Sequence, residues 1–163
     1  MELSDPWRGF IDELRGDRYR RHIARLFGAR KVEFRFHWHL TSPGCSVSPH
    51  CDARREWGSH LFYFNSRKTW KPEWGGHTVL LDDGGRFDYN SAPEFEDFDR
   101  SHTIECVGNV SALLARSDRG WHGVREIDCP EGEFRKVFIV VVNPDSRLWR
   151  ARDWLIGKTK QRF

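Results

Sequence analysis

At 163 residues, with 38% hydrophobic and 31% charged side chains, the chain can bury one core without staples and is too polar for a membrane span of roughly 18 apolar residues. The net charge is only +3. Its basic excess lies at the two ends, RGDRYRRHIARLFGARK and RLWRARDWLIGKTKQRF, which read as solvated faces, so direct nucleic-acid binding is not expected.

The opening MELSDPWRGF lacks the basic-then-apolar order of a signal peptide, and a cytoplasmic location is expected. Trp7, Phe10, Ile11 and Leu14 recur at helical spacing, as do Ile23, Leu26 and Phe27 after a break at Gly16-Asp17. Ser4-Asp5-Pro6 supplies a helix start with proline just inside it. From Lys31 the period becomes two: KVEFRFHWHL sets Val32, Phe34, Phe36, Trp38 and Leu40 on one face of a strand. SHLFYFN, HTVLLDD, VSALLAR, WHGVREI and RKVFIVVVN predict further strands, separated by joints rich in Gly, Pro, Asp and Asn. Residues 87–101 read as a long polar-aromatic loop of the kind that carries function or disorder. Leu148 to Ile156 is the candidate closing helix. One domain is expected, with a helical lead-in over 1–30, a β core over 31–143 and a basic segment over 144–163. Many short strands after a helical start predict a mainly β chain, a sandwich or jelly roll buttressed by N-terminal helices.

Cys45, Cys51, Cys106 and Cys129 contain no Cys-x-x-Cys pair and are too few for a disulfide framework, so free thiols are expected. The chemistry concentrates elsewhere. His50-Cys51-Asp52 sets an imidazole and a carboxylate two residues apart, which on a strand would aim both at one ion. Among eight histidines and 24 acidic residues chance supplies roughly one such pair, so the motif needs company. His122, after LLARSDRGW, is the candidate second histidine; two histidines and one carboxylate on one face bind Fe(II) and leave positions open for oxygen chemistry. Arg135 heads the most apolar strand, where a guanidinium is costly unless an anion pairs with it; the alternative is that it sits at the strand mouth.

PHCD, LFYFN, WKPEWGGHTVLL, SDRGWHGV and RKVFIVVVN, in that order over about residues 34–143, resemble the 2-oxoglutarate/Fe(II)-dependent oxygenases, in their prolyl 4-hydroxylase-like branch. The resemblance implies a double-stranded β-helix, the cupin-like jelly roll. It implies His50, Asp52 and His122 as catalytic iron ligands, Arg135 as the salt-bridge partner of the far 2-oxoglutarate carboxylate, and Tyr63 as a hydrogen-bond donor to that carboxylate. The cofactors implied are Fe(II), 2-oxoglutarate as co-substrate and O2. The activity implied is hydroxylation of an unactivated C–H bond, of a prolyl or other peptidyl side chain or an amino acid, with release of succinate and CO2. The expected partner is therefore a peptide or small-molecule substrate. One departure stands out: close relatives often carry a tyrosine one strand before the His-x-Asp, whereas here HWHLTSPG has none and His39 is the residue that could take its place.

The alternative is a cupin-like jelly roll that binds a metal or small molecule without oxygenation, in which Arg135 and Tyr63 would have no shared task. His37 and His39 resemble a cupin His-x-His, but no acid follows at short range and they read as ordinary strand-face histidines. His22, His60, His77 and His102 read as structural or surface groups, Asp118-Arg119 as a turn, and Trp57, Trp70 and Trp74 as covers of the barrel edge.

Overall fold

The computed structural model describes residues 3–145; the closing helix expected over 148–156 and the basic end lie outside the described residues. The described chain divides into two compact units, one comprising residues 3–33 with 144–145 and the other Phe34–Asn143. In the first, α1 (Asp5–Arg15) starts behind an extended Ser4 with Pro6 in its first turn, and α2 (Asp17–Leu26) follows after Gly16. A Cβ at Gly16 would lie 3.1 Å from the Glu13 carbonyl oxygen, so the tight link between the helices favours glycine there. Leu14, Ile23 and Ala24 are buried, and Arg20 Nη1 donates to the Val32 carbonyl at 3.0 Å. No helix among the described residues is long and apolar enough to cross a membrane.

Eight strands follow: β1 (Val32–Thr41), β2 (Val47–His50), β3 (Gly58–Tyr63), β4 (Thr78–Asp82), β5 (Arg100–Ile104), β6 (Ser111–Ala115), β7 (His122–Val124) and β8 (Arg135–Pro144). They form two four-stranded sheets, ordered β1-β8-β3-β6 and β2-β7-β4-β5. The pairings β3–β6, β3–β8, β2–β7, β4–β5 and β4–β7 are antiparallel. The chain crosses repeatedly from one sheet to the other, and the strand order is that of a jelly roll, as expected from the run of short strands.

Alternation decides which side chains face inward. On β1, Phe36 and Trp38 meet Phe138 of β8 at ring-centre distances of 5.7 and 6.0 Å. Arg135 is three residues from Phe138 and so points to the opposite face, as do His37 and His39 relative to Phe36 and Trp38. Ser59, Leu61 and Tyr63 share one face of β3, and the last two join Val124, Ile127 and Val137 in the main core. Trp70, Trp74, Cys106 and Cys129 pack on the same cluster, so two of the joint tryptophans do cover the core; all four cysteines are free thiols.

Over residues 87–101 the expected loop holds as far as Asp99, with one short 3-10 turn at Phe95–Asp97 before β5 begins at Arg100. Phe87, Phe95 and Phe98 pack on Val79, Leu81 and the buried Trp121. Asp83 accepts the main-chain N–H groups of Gly85 and Phe87, and Arg125 pairs with Glu96 at 2.8 Å. The stretch is a tied-down cover for the β7–β4 sheet that runs into β5. β5 itself escaped the sequence pattern because RSHTI is an edge strand with four of its five residues exposed, and so carries no apolar face.

Candidate active site

β2 and β7 lie side by side with His50 opposite His122 in register, and their rings are 4.4 Å apart. The His50 and His122 ring nitrogens and an Asp52 carboxylate oxygen fall within 4.8 Å of one another, the set of metal-binding geometry found among the described residues. His50 Nδ1 lies 3.0 Å from the Ser48 carbonyl, and His122 Nδ1 lies 2.9 Å from that of Gly120. Each contact makes Nδ1 the protonated nitrogen and leaves Nε2 with a free lone pair, the arrangement typical of ligating histidines. Burial holds the His122 ring below the usual histidine range, which favours this neutral form. His122 Nε2 stands 3.7 Å from Asp52 Oδ1, too far for a hydrogen bond but suited to two ligand atoms around one centre.

The strand argument for the His-x-Asp spacing needs correction. β2 ends at His50, and residues 51–53 belong to no strand. Asp52 is held instead by Ser59, whose Oγ donates to Oδ2 at 3.1 Å, and by Arg116, whose Nε donates to the Asp52 carbonyl at 3.2 Å. Pro49 is buried and Cys51 packs against the Val79–Trp121 cluster.

Arg135 is 6% exposed, and no carboxylate lies within ion-pair distance of it among the described residues. Its Nε donates to the Gly76 carbonyl and one terminal nitrogen to Thr78 Oγ1 at 3.2 Å. Tyr63 donates its hydroxyl to the same Thr78 oxygen at 2.8 Å, and the Arg135 guanidinium lies 5.9 Å from the Tyr63 ring centre. Burial pulls the Arg135 pKa down and pushes the Tyr63 phenol up. A buried guanidinium with hydroxyl and carbonyl neighbours, and no counter-charge among the described residues, could take an anion. The backbone makes room for it. Gly76 has φ +75°, and a Cβ there would sit 3.2 Å from Arg135 Cδ and 3.2 Å from the Trp70 ring. Asn65 clamps the strand from the other side, donating to the Phe134 carbonyl at 2.8 Å and accepting from Lys136 N at 2.8 Å.

The two groups share one interior. On β4, Leu80 faces His122 in register, and Thr78 lies two residues away on the same side, about 7 Å along the strand. His39 lies on the same side of β1 as His37 and is exposed there. Partial burial lowers its pKa first, and the neighbouring His37 and Arg135 push it further down. Ser59, Thr78 and Arg116 were not singled out from the sequence. A hydroxyl residue two positions before a leucine at the start of an apolar strand was the available signal for the first two. For Arg116 there was none.

Comparison with solved structures matches the chain to a Pseudomonas putida prolyl-4-hydroxylase, with TM-score 0.54 and 20% identity, covering 78% of this chain and 62% of that one. The likeness is one of fold. Prolyl 4-hydroxylases from Phytophthora capsici also match, with TM-score 0.47 and 15% identity over 76% of this chain and 40% of that one. The chain thus spans less than two thirds of either hydroxylase. No family model and no curated relative matches the sequence.

Proposed function

We propose that the chain is an Fe(II)- and 2-oxoglutarate-dependent dioxygenase. It hydroxylates an unactivated C–H bond of a prolyl or other peptidyl side chain, or of an amino acid, and releases succinate and CO2. The observation that carries this reading is the pairing, in one jelly-roll interior, of a His-Asp-His face with a buried guanidinium that has no carboxylate partner among the described residues. A metal site alone would suit many jelly rolls; a buried Arg135 with no carboxylate partner among the described residues calls for an acidic co-substrate.

The residues fit the group. Two imidazole nitrogens and one carboxylate oxygen are the donor set that suits non-haem Fe(II), and each histidine has its other nitrogen engaged by a carbonyl. His50, Asp52 and His122 would hold the metal. Bound there, Fe(II) supplies the oxygen chemistry that couples decarboxylation of the oxo acid to hydroxylation of the substrate. The rest falls to the chain. Arg135 takes the far carboxylate through its fork, and Tyr63 and Thr78 offer hydroxyls beside it. Leu61, Val124 and Val137 wall the interior against water, which strengthens those charge interactions.

The test is anaerobic loading with Fe(II) and 2-oxoglutarate, reading the weak visible charge-transfer band of the chelate, followed by oxygen and measurement of succinate. Both signals are expected, and Asp52→Ala should remove both. If neither appears and Asp52→Ala leaves iron binding unchanged, the reading is wrong.

A further inference from the structure

Asp52 lies beyond the end of the strand that carries His50, so strand alternation does not aim its carboxylate. Its two holding contacts come from the opposite sheet. Ser59, on β3 and 6% exposed, reaches the carboxylate; Arg116, just past β6, reaches the main-chain carbonyl. β3 and β6 are paired, with Ser59 opposite Leu114, so both contacts leave one edge of the β1-β8-β3-β6 sheet. Arg116 is itself fixed by Asp118, which also accepts both an Nε and a terminal N–H from Arg54.

These contacts divide the labour between the carboxylate oxygens. The Ser59 hydroxyl engages Oδ2, while Oδ1 is the oxygen that faces His122 Nε2. We infer that Ser59 is a positioning residue that holds Asp52 Oδ1 toward the metal. The inference rests on the metal centre proposed above. Without the serine hydroxyl the carboxylate is free to turn, and Oδ1 is no longer held toward the point it shares with His50 and His122. Ser59 therefore governs how well the metal is held, although it does not touch it.

The experiment measures Mn(II) binding to metal-stripped protein through the electron paramagnetic resonance signal of the free ion, for wild type, Ser59→Ala, Ser59→Thr and Asp52→Ala. Unfolding midpoints of the metal-free forms are recorded in parallel. Loss of a contact that orients a ligand is expected to raise the Mn(II) Kd of Ser59→Ala about 10- to 100-fold. Ser59→Thr keeps the hydroxyl on a residue that suits a strand and should bind close to wild type. The metal-free midpoints of the two serine variants should stay near that of wild type. Two outcomes overturn the inference while leaving the metal centre standing: Ser59→Ala binding Mn(II) like wild type, or Ser59→Thr binding as weakly as Ser59→Ala. If wild type and Asp52→Ala alike fail to bind Mn(II), the metal centre falls and the inference with it.

Discussion

Replacing Arg135 by methionine should leave the free protein about as stable as before, yet abolish its response to 2-oxoglutarate. In the folded chain the guanidinium is 6% exposed and donates to Gly76 and Thr78, with no carboxylate partner among the described residues. Losing hydrogen bonds from a charged donor costs about 1.5–3 kcal/mol each. Against that stands the relief of a desolvation penalty that reaches several kcal/mol for a buried ion. The two nearly cancel, so urea unfolding of the metal-free, ligand-free variant should shift by no more than about 2 kcal/mol. Binding behaves differently. A forked guanidinium–carboxylate contact comprises two charge-assisted bonds, and its loss costs roughly 3 kcal/mol or more, over a hundredfold in Kd. With Mn(II) present and 2-oxoglutarate at 100 times its wild-type Kd, wild type should gain about 2.7 kcal/mol of apparent stability and the variant almost none. If Arg135→Met instead loses about 3–5 kcal/mol in the absence of ligand and still responds to 2-oxoglutarate, Arg135 is a structural tie and the anion-site argument fails.

Thr78→Val keeps the side-chain shape but removes the oxygen to which both Tyr63 and Arg135 donate; it should raise the 2-oxoglutarate Kd severalfold by calorimetry and lower stability by about 1–3 kcal/mol through the orphaned phenol. A Cβ at Gly123 would lie 2.7 Å from the Val47 carbonyl oxygen and 2.8 Å from the Phe95 ring; Gly123→Ala should therefore cost about 1–3 kcal/mol in urea unfolding and weaken Mn(II) binding by shifting the adjacent His122. Burial holds the folded-state pKa values of His37 and His39 below the ordinary histidine value. The unfolded chain therefore takes up protons first as pH falls through about 6.5, so stability is present above that pH and declines below it. Thermal unfolding of metal-free protein between pH 7.5 and 5.5 should show this decline, and a His37→Gln, His39→Gln double variant should flatten it; an unchanged slope would refute the assignment.

Much of this site could be read along the chain because its residues sit at points the sequence marks. His122 opens a strand after a Ser-Asp-Arg-Gly turn, Arg135 stands with Lys136 at the head of the most apolar run, and Tyr63 closes an aromatic strand. Ser59 and Thr78 were harder to see, since each is one small hydroxyl inside a strand and its partner lies 7 or 15 residues away in sequence. The 87–101 loop was legible as polar and aromatic, but its three phenylalanines cover Trp121, a partner far along the chain that local pattern does not reveal.

The sequence by itself determined the periodicities, and with them the two lead-in helices, most of the strands and the inward or outward facing of their side chains. These are local properties, set by residues two to four positions apart. Only the tertiary structure decided that His50 stands opposite His122, that Asp52 is aimed by the opposite sheet, and that Arg135 is buried beside hydroxyls with no carboxylate partner among the described residues. Each of those facts depends on strand order and register, which follow from how distant segments pack together.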